Sequence, residues 1–307
     1  MGDYTCLSPQ GEFSCNEFGK QLSGLCEKYF FLKQQSFGKS VSGVPLTALF
    51  LGSGRRRVLI SAAHHGNEWL TSLVVLRFID ELCGAAEQGD NFFGADAYAL
   101  LKDCRFCFVP LVNPDGAELA SAGLSCGKAY DKAKKIASAY PDIPFPRGWK
   151  ANMRGVDLNL QYPTRWKTAR KIKYSAGYTS PAPKNFVGRR PLSQPESRAL
   201  YSLTLLFSPH RLLALHTQGK EIYWQQGGLA PAGSLELGKR MAAAGGYTLA
   251  QTPSFCDNAG YKDWFIHHFG RSGFTLELGL GESPLPLGQL NEIYMQCAPM
   301  LLEAAKP

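Results

Sequence analysis

The stretch from Ile60 to Trp69, ISAAHHGNEW, places side chains able to bind a metal where one apolar segment ends and another begins. His65 and Glu68 stand in H-x-x-E spacing, which lets an imidazole and a carboxylate three residues apart converge on one point. A turn here needs only Gly66 and Asn67. The histidine and the glutamate therefore require a chemical explanation.

A second histidine in a similar position completes a metal-binding set. His216 ends the apolar run LLALH, and two histidines with one glutamate form a catalytic zinc set that leaves a fourth position open. We therefore predict that His65, Glu68 and His216 bind Zn²⁺, although cobalt or manganese could use the same ligands. His64 is an alternative to His65, with Glu68 four residues away. Asp157 is the candidate acceptor for a second imidazole nitrogen.

Glu277 is a further ionisable residue, and it lies within an apolar run. In GFTLELG, Phe274 and Leu276 face one side of a predicted strand and Glu277 faces the other. A carboxylate in such a strand is costly unless it is paired, linked to a metal or functional. We expect it to be a general base beside the zinc, and a buried salt bridge is the structural alternative.

The elements that must position these groups alternate between strands and helices. Buried strands are predicted at RRVLISAA, RFCFVPLV, RLLALHTQ and GFTLELG. Helices are predicted at NEWLTSLVVLRFIDELC, ending at Gly84, at QPESRALYSLTLLF, with Pro195 in its first turn, and at SLELGKRMAAAGG, ending at Gly245. This alternation favours a largely parallel or mixed sheet covered on both faces, with ligand groups at the carboxyl ends of strands.

We interpret residues 1–307 as a single domain, because no repeat or linker interrupts the pattern. Residues 1–36 are expected to be a helical lead-in and residues 37–307 the catalytic core. The stretch from Gly123 to Pro195 is rich in Pro, Gly and Lys and is predicted to form long surface loops. Loops of that length inside a domain usually have a function.

Composition limits the possible partners. The formal net charge is +8, and part of the excess lies in RWKTARKIK, from Arg165 to Lys173. No recognition helix, zinc finger or aromatic platform accompanies this charge, so we expect no nucleic-acid partner. No apolar run is long enough to span a membrane, so no membrane partner is expected. The basic segment is better explained as a solvated stretch or one that attracts an anionic substrate.

The cysteines indicate a reducing compartment. There are nine, an odd and scattered set, and the first residues do not combine a basic region with an apolar run. These features predict free thiols and a cytoplasmic location. Cys104 and Cys107 form C-x-x-C within a predicted strand, and we interpret them as buried core residues rather than a redox pair or half of a zinc site.

The ordered set AHHGNEW, NPDG, RGVDLN, ALHTQ and FTLELG resembles the zinc metallocarboxypeptidase family of carboxypeptidase A type. The resemblance runs from about Gly38 to the C-terminus. HHGNEW, WKANMRGVDLN and GLGESPLPLGQ further resemble the bacterial branch of γ-D-glutamyl-diaminopimelate peptidases. The resemblance implies a single α/β domain with a mixed, mainly parallel, eight-stranded twisted sheet and helices on both faces.

The resemblance also implies roles for individual residues. The metal would be Zn²⁺, and Glu277 would be the catalytic carboxylate. Arg154, just before GVDLN, would match the arginine that polarises the scissile carbonyl and stabilises the oxyanion. The substrate-binding residues predicted from these motifs are Asn159, Phe255 and Gln218.

Two departures from the family pattern concern the substrate. Leu160 stands where the family has an arginine that binds a free C-terminal carboxylate bidentately. The substrate is therefore expected to continue past the scissile bond, or to have its carboxylate held by another basic group. Phe255 stands about where digestive members have a mobile tyrosine, and Tyr261 could take that place.

Together these features predict a zinc peptidase that hydrolyses γ-D-glutamyl-diamino acid bonds in murein peptides. An alternative is a zinc N-acyl amino acid deacylase of the aspartoacylase or succinylglutamate desuccinylase type, which shares the HGNE turn. Such enzymes generally carry the arginine that is replaced here by Leu160. A binding protein without catalytic activity is the third possibility, and it is disfavoured by the joint presence of the three ligands and Glu277.

Overall fold

One mixed sheet of eight strands lies at the centre of the protein in a computed structural model, which describes residues 6–7 and 13–307. The strand order is β1-β2-β6-β3-β7-β10-β8-β9. The four central strands β6, β3, β7 and β10 are parallel to one another, whereas β1, β2 and β8 join antiparallel. The strands are β1 Lys33–Lys39, β2 Pro45–Leu51, β3 Arg56–Ala62, β6 Cys104–Val109, β7 Arg211–His216, β8 Glu221–Tyr223, β9 Thr248–Ala250 and β10 Gly273–Glu277, with a separate hairpin of β4 Asn91–Phe92 and β5 Ala95–Asp96.

Ten helices surround the sheet and its loops within the described residues. None of them is long and apolar enough to cross a membrane. The helices are α1 Cys15–Lys28, α2 Leu70–Gln88, α3 Ala97–Asp103, α4 Pro114–Ala120, α5 Lys128–Ala137, α6 Trp166–Ser175, α7 Pro195–Phe207, α8 Ser234–Gly245, α9 Tyr261–Phe269 and α10 Leu290–Glu303.

Both faces of the sheet are buried, which confirms the predicted α/β architecture. Successive residues of β3 alternate between two apolar cores. Ile60 belongs to the core that includes residues of α2, α8 and α10, and Leu59 belongs to the core that includes residues of α7 and α9. Cys104 and Cys107 of β6 divide between the same two cores, as residues three apart on a strand must. They are free, buried core residues, as predicted.

The structure confirms two of the predicted element ends and differs from two others. Helix α7 begins at Pro195 and α8 ends at Gly245, as expected. Helix α2, however, continues through Gly84 to Gln88 and ends at Gly89, whose φ of 72° gives a left-handed cap. A glycine inside a helix costs only about 1 kcal/mol, and the buried face of α2 offsets that cost. The expected boundary at residue 36 falls inside β1.

The prediction of long surface loops between Gly123 and Pro195 is wrong. The segment contains α5 and α6, and it buries large side chains, among them Trp149 and Tyr162. The two helices escaped prediction because they are rich in Lys and Arg and bury mainly alanines, so their buried faces carry few large apolar residues. The segment is therefore folded and partly buried, and its side chains can have fixed positions beside the sheet.

Candidate metal centre and active site

Three adjacent parallel strands bring the candidate site together at one edge of the sheet. His216 is the last residue of β7, and it pairs in register with Glu277, the last residue of β10. Strand β3 lies on the other side of β7 and ends at Ala62, three residues before His65. Because parallel strands end at the same edge, groups far apart along the chain become neighbours there.

The turn that carries His65 is held by the NPDG motif. Asn113 Nδ2 donates hydrogen bonds to the backbone oxygens of His64 and Lys150 at 3.3 Å each. Gly66 lies so close to Gly116 of α4 that a Cβ on Gly66 would come within 2.4 Å of the Gly116 backbone. The glycine of HHGNE is therefore required by close packing, and the turn is fixed against two neighbouring segments.

The structure brings His65, Glu68 and His216 to a common point. His65 Nδ1 lies 2.8 Å from Glu68 Oε1, and His216 Nδ1 lies 2.8 Å from Glu68 Oε2. The three potential ligand atoms all lie within 4.8 Å of one another. Burial raises the pKa of Glu68, but His65 and Lys150 together hold it well below the usual range. The set therefore offers a carboxylate and two imidazole nitrogens, which suits zinc.

Asp157, a candidate acceptor from the sequence, contacts the proposed ligand His65 at its second imidazole nitrogen. Its Oδ1 lies 3.2 Å from His65 Nε2, and its Oδ2 accepts a hydrogen bond from the backbone N–H of Asn185 at 3.0 Å. Burial raises the pKa of Asp157, but His65 and this N–H lower it to below its usual range. An ionised acceptor on the second nitrogen orients the imidazole and increases its basicity.

His64, the alternative ligand, lies below the site in the core. Its side chain is fully buried, its Nε2 lies 3.2 Å from the hydroxyl of Tyr162, and its ring stacks on His216. Burial lowers the pKa of His64, followed by the effects of His216 and His65. The structure therefore gathers His65, and not His64, with the other two ligands.

Glu277 faces a cavity of about 260 Å³ that adjoins the ligands. Thr275, two residues earlier on the same face of β10, lines the same cavity, as strand alternation predicts. Burial raises the pKa of Glu277, His216 lowers it and Glu68 raises it further, so that the overall direction is upward. A carboxyl group with a raised pKa can both accept and return a proton near neutral pH.

Lys150 is a site residue that the sequence did not single out. Its Nζ donates a hydrogen bond to Glu68 Oε1 at 2.9 Å, and it lines the cavity together with Glu277. Burial lowers the pKa of Lys150, but the carboxylates of Glu68 and Glu277 raise it overall. It is thus a fixed cation beside the ligands. The only signal was its place in WKANMRGVDLN, between buried Trp149 and Ala151.

Arg154 requires a correction, because the structure does not bring it to the site. It is exposed, at the tip of a turn closed by a hydrogen bond from Gly155 N–H to the Asn152 carbonyl. It lines a different cleft, with Lys132 and others, that shares no residue with the cavity of Glu277. The turn reverses the chain at Gly155, so the residue next to GVDLN points away from the ligands.

The predicted substrate-binding residues occupy different places. Asn159 lines the cavity, with its Nδ2 3.5 Å from His216 Nε2, and Gln218 lies at the exposed rim. Phe255 is 40% exposed and is not among the residues that line the cavity. Tyr261 is buried and its hydroxyl lies 2.5 Å from Thr204 Oγ1, so it cannot take the place expected of a mobile tyrosine.

Comparisons with known proteins agree with this geometry. Residues 22–296 match the model of the family described as zinc carboxypeptidase. The chain is 35% identical over 296 residues to gamma-D-glutamyl-L-diamino acid endopeptidase 1 of Lysinibacillus sphaericus, covering 96% of this chain and 73% of that protein.

Two solved structures show the shared fold. Bovine thrombin-activatable fibrinolysis inhibitor is 19% identical with a TM-score of 0.72, covering 96% of both chains. Murein-tripeptide amidase MpaA of Escherichia coli O157 is 21% identical with a TM-score of 0.55, covering 88% of this chain and 91% of that one. With the family match and the clustered His-Glu-His ligands, these likenesses lead to one conclusion: the chain belongs to the zinc carboxypeptidase family and is a metallopeptidase with zinc as its cofactor.

Proposed function

We propose that this metallopeptidase hydrolyses the amide bond between γ-D-glutamate and a diamino acid in murein peptides. The observation that carries the proposal is the placement of Glu277 and Lys150 in one cavity beside the His65–Glu68–His216 set. The relative from Lysinibacillus sphaericus, whose name gives this activity, supports the choice of substrate.

His65, Glu68 and His216 would hold the zinc ion. When bound, zinc supplies Lewis acidity that activates water and polarises a carbonyl. Glu277 then accepts the proton of the attacking water at its carboxylate and delivers it to the nitrogen of the leaving amine. Its position at the end of β10, paired with His216, keeps this carboxylate next to the ligands throughout.

Lys150 takes the role that the sequence assigned to Arg154. Its ammonium group lies at the same cavity as Glu277 and is held as a cation by the surrounding carboxylates. A fixed donor of this kind stabilises the oxyanion that forms when the scissile carbonyl is attacked. Asn159 and Gln218 line the same cavity and are the residues that would contact the substrate there.

The walls of the cavity suit a polar substrate. Besides Lys150 and Glu277, they include the ion pair between Lys262 Nζ and Asp263 Oδ1, at 2.7 Å, and the hydroxyl-bearing Tyr223. Leu160, by contrast, is buried in an apolar cluster and offers nothing to a C-terminal carboxylate. Both features favour a charged peptide that extends beyond the scissile bond over a simple carboxypeptidase substrate.

We also propose a cytoplasmic location for the enzyme. The nine cysteines support it, since all are free thiols and five are buried. Reduced cysteines are typical of cytosolic proteins. Differential alkylation of thiols in intact cells, followed by mass spectrometry, tests this: most cysteines should react only after unfolding and without prior reduction.

Mass spectrometry of reaction products tests the proposed activity. Zinc-loaded protein should convert defined tri-, tetra- and pentapeptide stems into a fragment that ends in D-glutamate and one that begins with the diamino acid. Removal of only the C-terminal residue from the tetra- and pentapeptide stems would instead indicate a simple carboxypeptidase. Hydrolysis of N-acyl aspartate or N-acyl glutamate without cleavage of the stems would indicate a deacylase, and either result would overturn the proposal.

A further inference from the structure

Lys173 is a buried lysine whose two closest partners are neutral. It lies on α6 and its residue surface is 2% exposed. Its Nζ donates a hydrogen bond to Asn185 Oδ1 at 3.0 Å and lies 3.2 Å from the centroid of the Phe255 ring. It forms no ion pair with a carboxylate of the described residues. A buried cation without a counter-ion is costly, so this site is suited to an anion.

A chain of three contacts places Lys173 close to the metal ligands. His65 Nε2 lies 3.2 Å from Asp157 Oδ1. Asp157 Oδ2 accepts a hydrogen bond from Asn185 N–H at 3.0 Å, and Asn185 Oδ1 accepts one from Lys173 Nζ, also at 3.0 Å. Asn185 therefore connects the side chain of Lys173 to Asp157, the residue that contacts His65.

Lys173 does not line the cavity of Glu277, but it lies near Cys256, which does, since its charge acts on the thiol and lowers the pKa of Cys256 against the effect of burial. Phe255, which covers the ammonium group, is followed by Cys256, and Cys256 lines the cavity together with Glu277. Phe255 is 40% exposed and belongs to no apolar core of the described residues, so its side chain can move without disturbing one. Burial lowers the pKa of Lys173, against the effects of Cys256 and Asp157, and an anion at Nζ would reverse that direction.

The two lysines that line the cavity, Lys150 and Lys262, already contact carboxylates. Lys262 pairs with Asp263 Oδ1 at 2.7 Å and donates hydrogen bonds to the Gln225 carbonyl and to Thr252 Oγ1. Lys150 contacts Glu68, as described above. Lys150 and Lys262 thus each contact a carboxylate, whereas Lys173 contacts none among the described residues.

We propose that Lys173 binds a free carboxylate of the substrate, with the ring of Phe255 moving aside to admit it. The proposal rests on the proposed function, because a γ-linked D-glutamate keeps its α-carboxylate and the diamino acid has a carboxylate of its own. It also accounts for Leu160: the cation that this position lacks is supplied from α6. Either carboxylate has the required chemistry, and the experiment separates them.

Amidated substrates test the proposal in the unaltered enzyme. Three γ-D-glutamyl-diamino acid peptides are compared: one with both carboxylates free, one with the glutamyl carboxylate amidated and one with the diamino acid carboxylate amidated. One of the amidations should lower kcat/KM about tenfold or more, mainly through KM, because a charge-assisted hydrogen bond to a buried cation is lost. Equal cleavage of all three peptides would overturn the proposal.

Variants then assign the effect to Lys173. Lys173→Met should hydrolyse the free acid and the sensitive amide with similar kcat/KM, whereas Lys173→Arg should keep part of the preference. Lys171→Met, at an exposed position of the same helix, is the matched control and should keep all of it. A merely structural role for Lys173 would instead lower kcat/KM for acid and amide alike, and a preference retained by Lys173→Met would also overturn the proposal.

Two further measurements separate the possible failures. Thermal unfolding and zinc content show whether each variant is folded and loaded. Lys173→Gln, which can still donate a hydrogen bond to Asn185, replaces Lys173→Met if the latter does not fold. If the zinc-loaded unaltered enzyme cleaves none of the three peptides, the proposed function itself falls and the role of Lys173 falls with it. If it cleaves all three equally, only the role of Lys173 falls.

Discussion

The candidate site is built from two regions of very different kinds. One consists of strand ends: His216 and Glu277 finish β7 and β10, and His65 follows β3. The other is the segment from Trp149 to Lys173, which lies outside the sheet and supplies two lysines, Asp157 and Asn159. The first region carries the proposed metal ligands and the proposed general base, and the second places charged groups around them. The sheet therefore positions the proposed ligands and Glu277, and the segment from Trp149 to Lys173 supplies the charged and polar side chains around them.

The first region was readable from the sequence for a physical reason. Ionisable residues are rare in buried strands because burial of an unpaired charge is costly. His216 and Glu277 therefore stood out against apolar neighbours, and strand alternation gave the correct face for Glu277. The eight-stranded α/β fold followed from the resemblance and from the alternation of apolar runs, and the structure confirms it.

The second region could not be read in the same way. Lys150 and Lys173 are lysines among many in a basic stretch, and only tertiary contacts bring Lys150 to Glu68 and bury Lys173. Arg154 was chosen because it adjoins GVDLN, but a tight turn directs it to another cleft. Sequence spacing identifies groups that share a strand or helix, whereas it does not show which side of an irregular turn a side chain takes.

Loss of a ligand should have the largest effect on the strand-end region. His216→Ala removes one of the three proposed ligands, together with the contact of its Nδ1 with Glu68 Oε2. Zinc content should fall to background and hydrolysis with it, because three protein ligands are the usual minimum of a catalytic zinc site. Metal analysis and an activity assay on the same sample check this. Full zinc occupancy in His216→Ala would place the metal elsewhere.

Glu277→Gln should abolish catalysis without removing the metal. The amide keeps the shape of the side chain but cannot accept a proton, so kcat should fall by about a thousandfold, within the range for general acid–base groups. Zinc content should match that of the unaltered protein. If hydrolysis continued undiminished, Glu277 would not be the general base.

A paired comparison of Lys150→Met and Arg154→Met tests which of the two residues stabilises the oxyanion: Lys150, as the structure indicates, or Arg154, as the sequence predicted. Lys150→Met removes the cation at the cavity and should lower kcat by about a hundredfold, the usual loss for one oxyanion donor. Arg154→Met changes an exposed residue of another cleft and should leave kcat and KM near those of the unaltered enzyme. The reverse ranking would restore the assignment made from the sequence.

Asp157→Asn should have a smaller effect, on metal affinity. It removes the charge behind His65 and leaves one amide oxygen where two carboxylate oxygens contact His65 and Asn185 N–H. Zinc affinity should weaken about tenfold to a hundredfold, as for other outer partners of metal ligands. Competition with a zinc-binding dye measures it. Unchanged affinity would mean that Asp157 has no part in holding the metal.

The most direct test of the account is to locate the metal. Crystals grown with zinc and measured at the zinc absorption edge should show one strong anomalous peak bounded by His65 Nδ1, the Glu68 carboxylate and His216 Nδ1, beside Glu277 at the end of β10. A peak at His64, or one remote from Glu277, would contradict the arrangement on which the proposed chemistry depends.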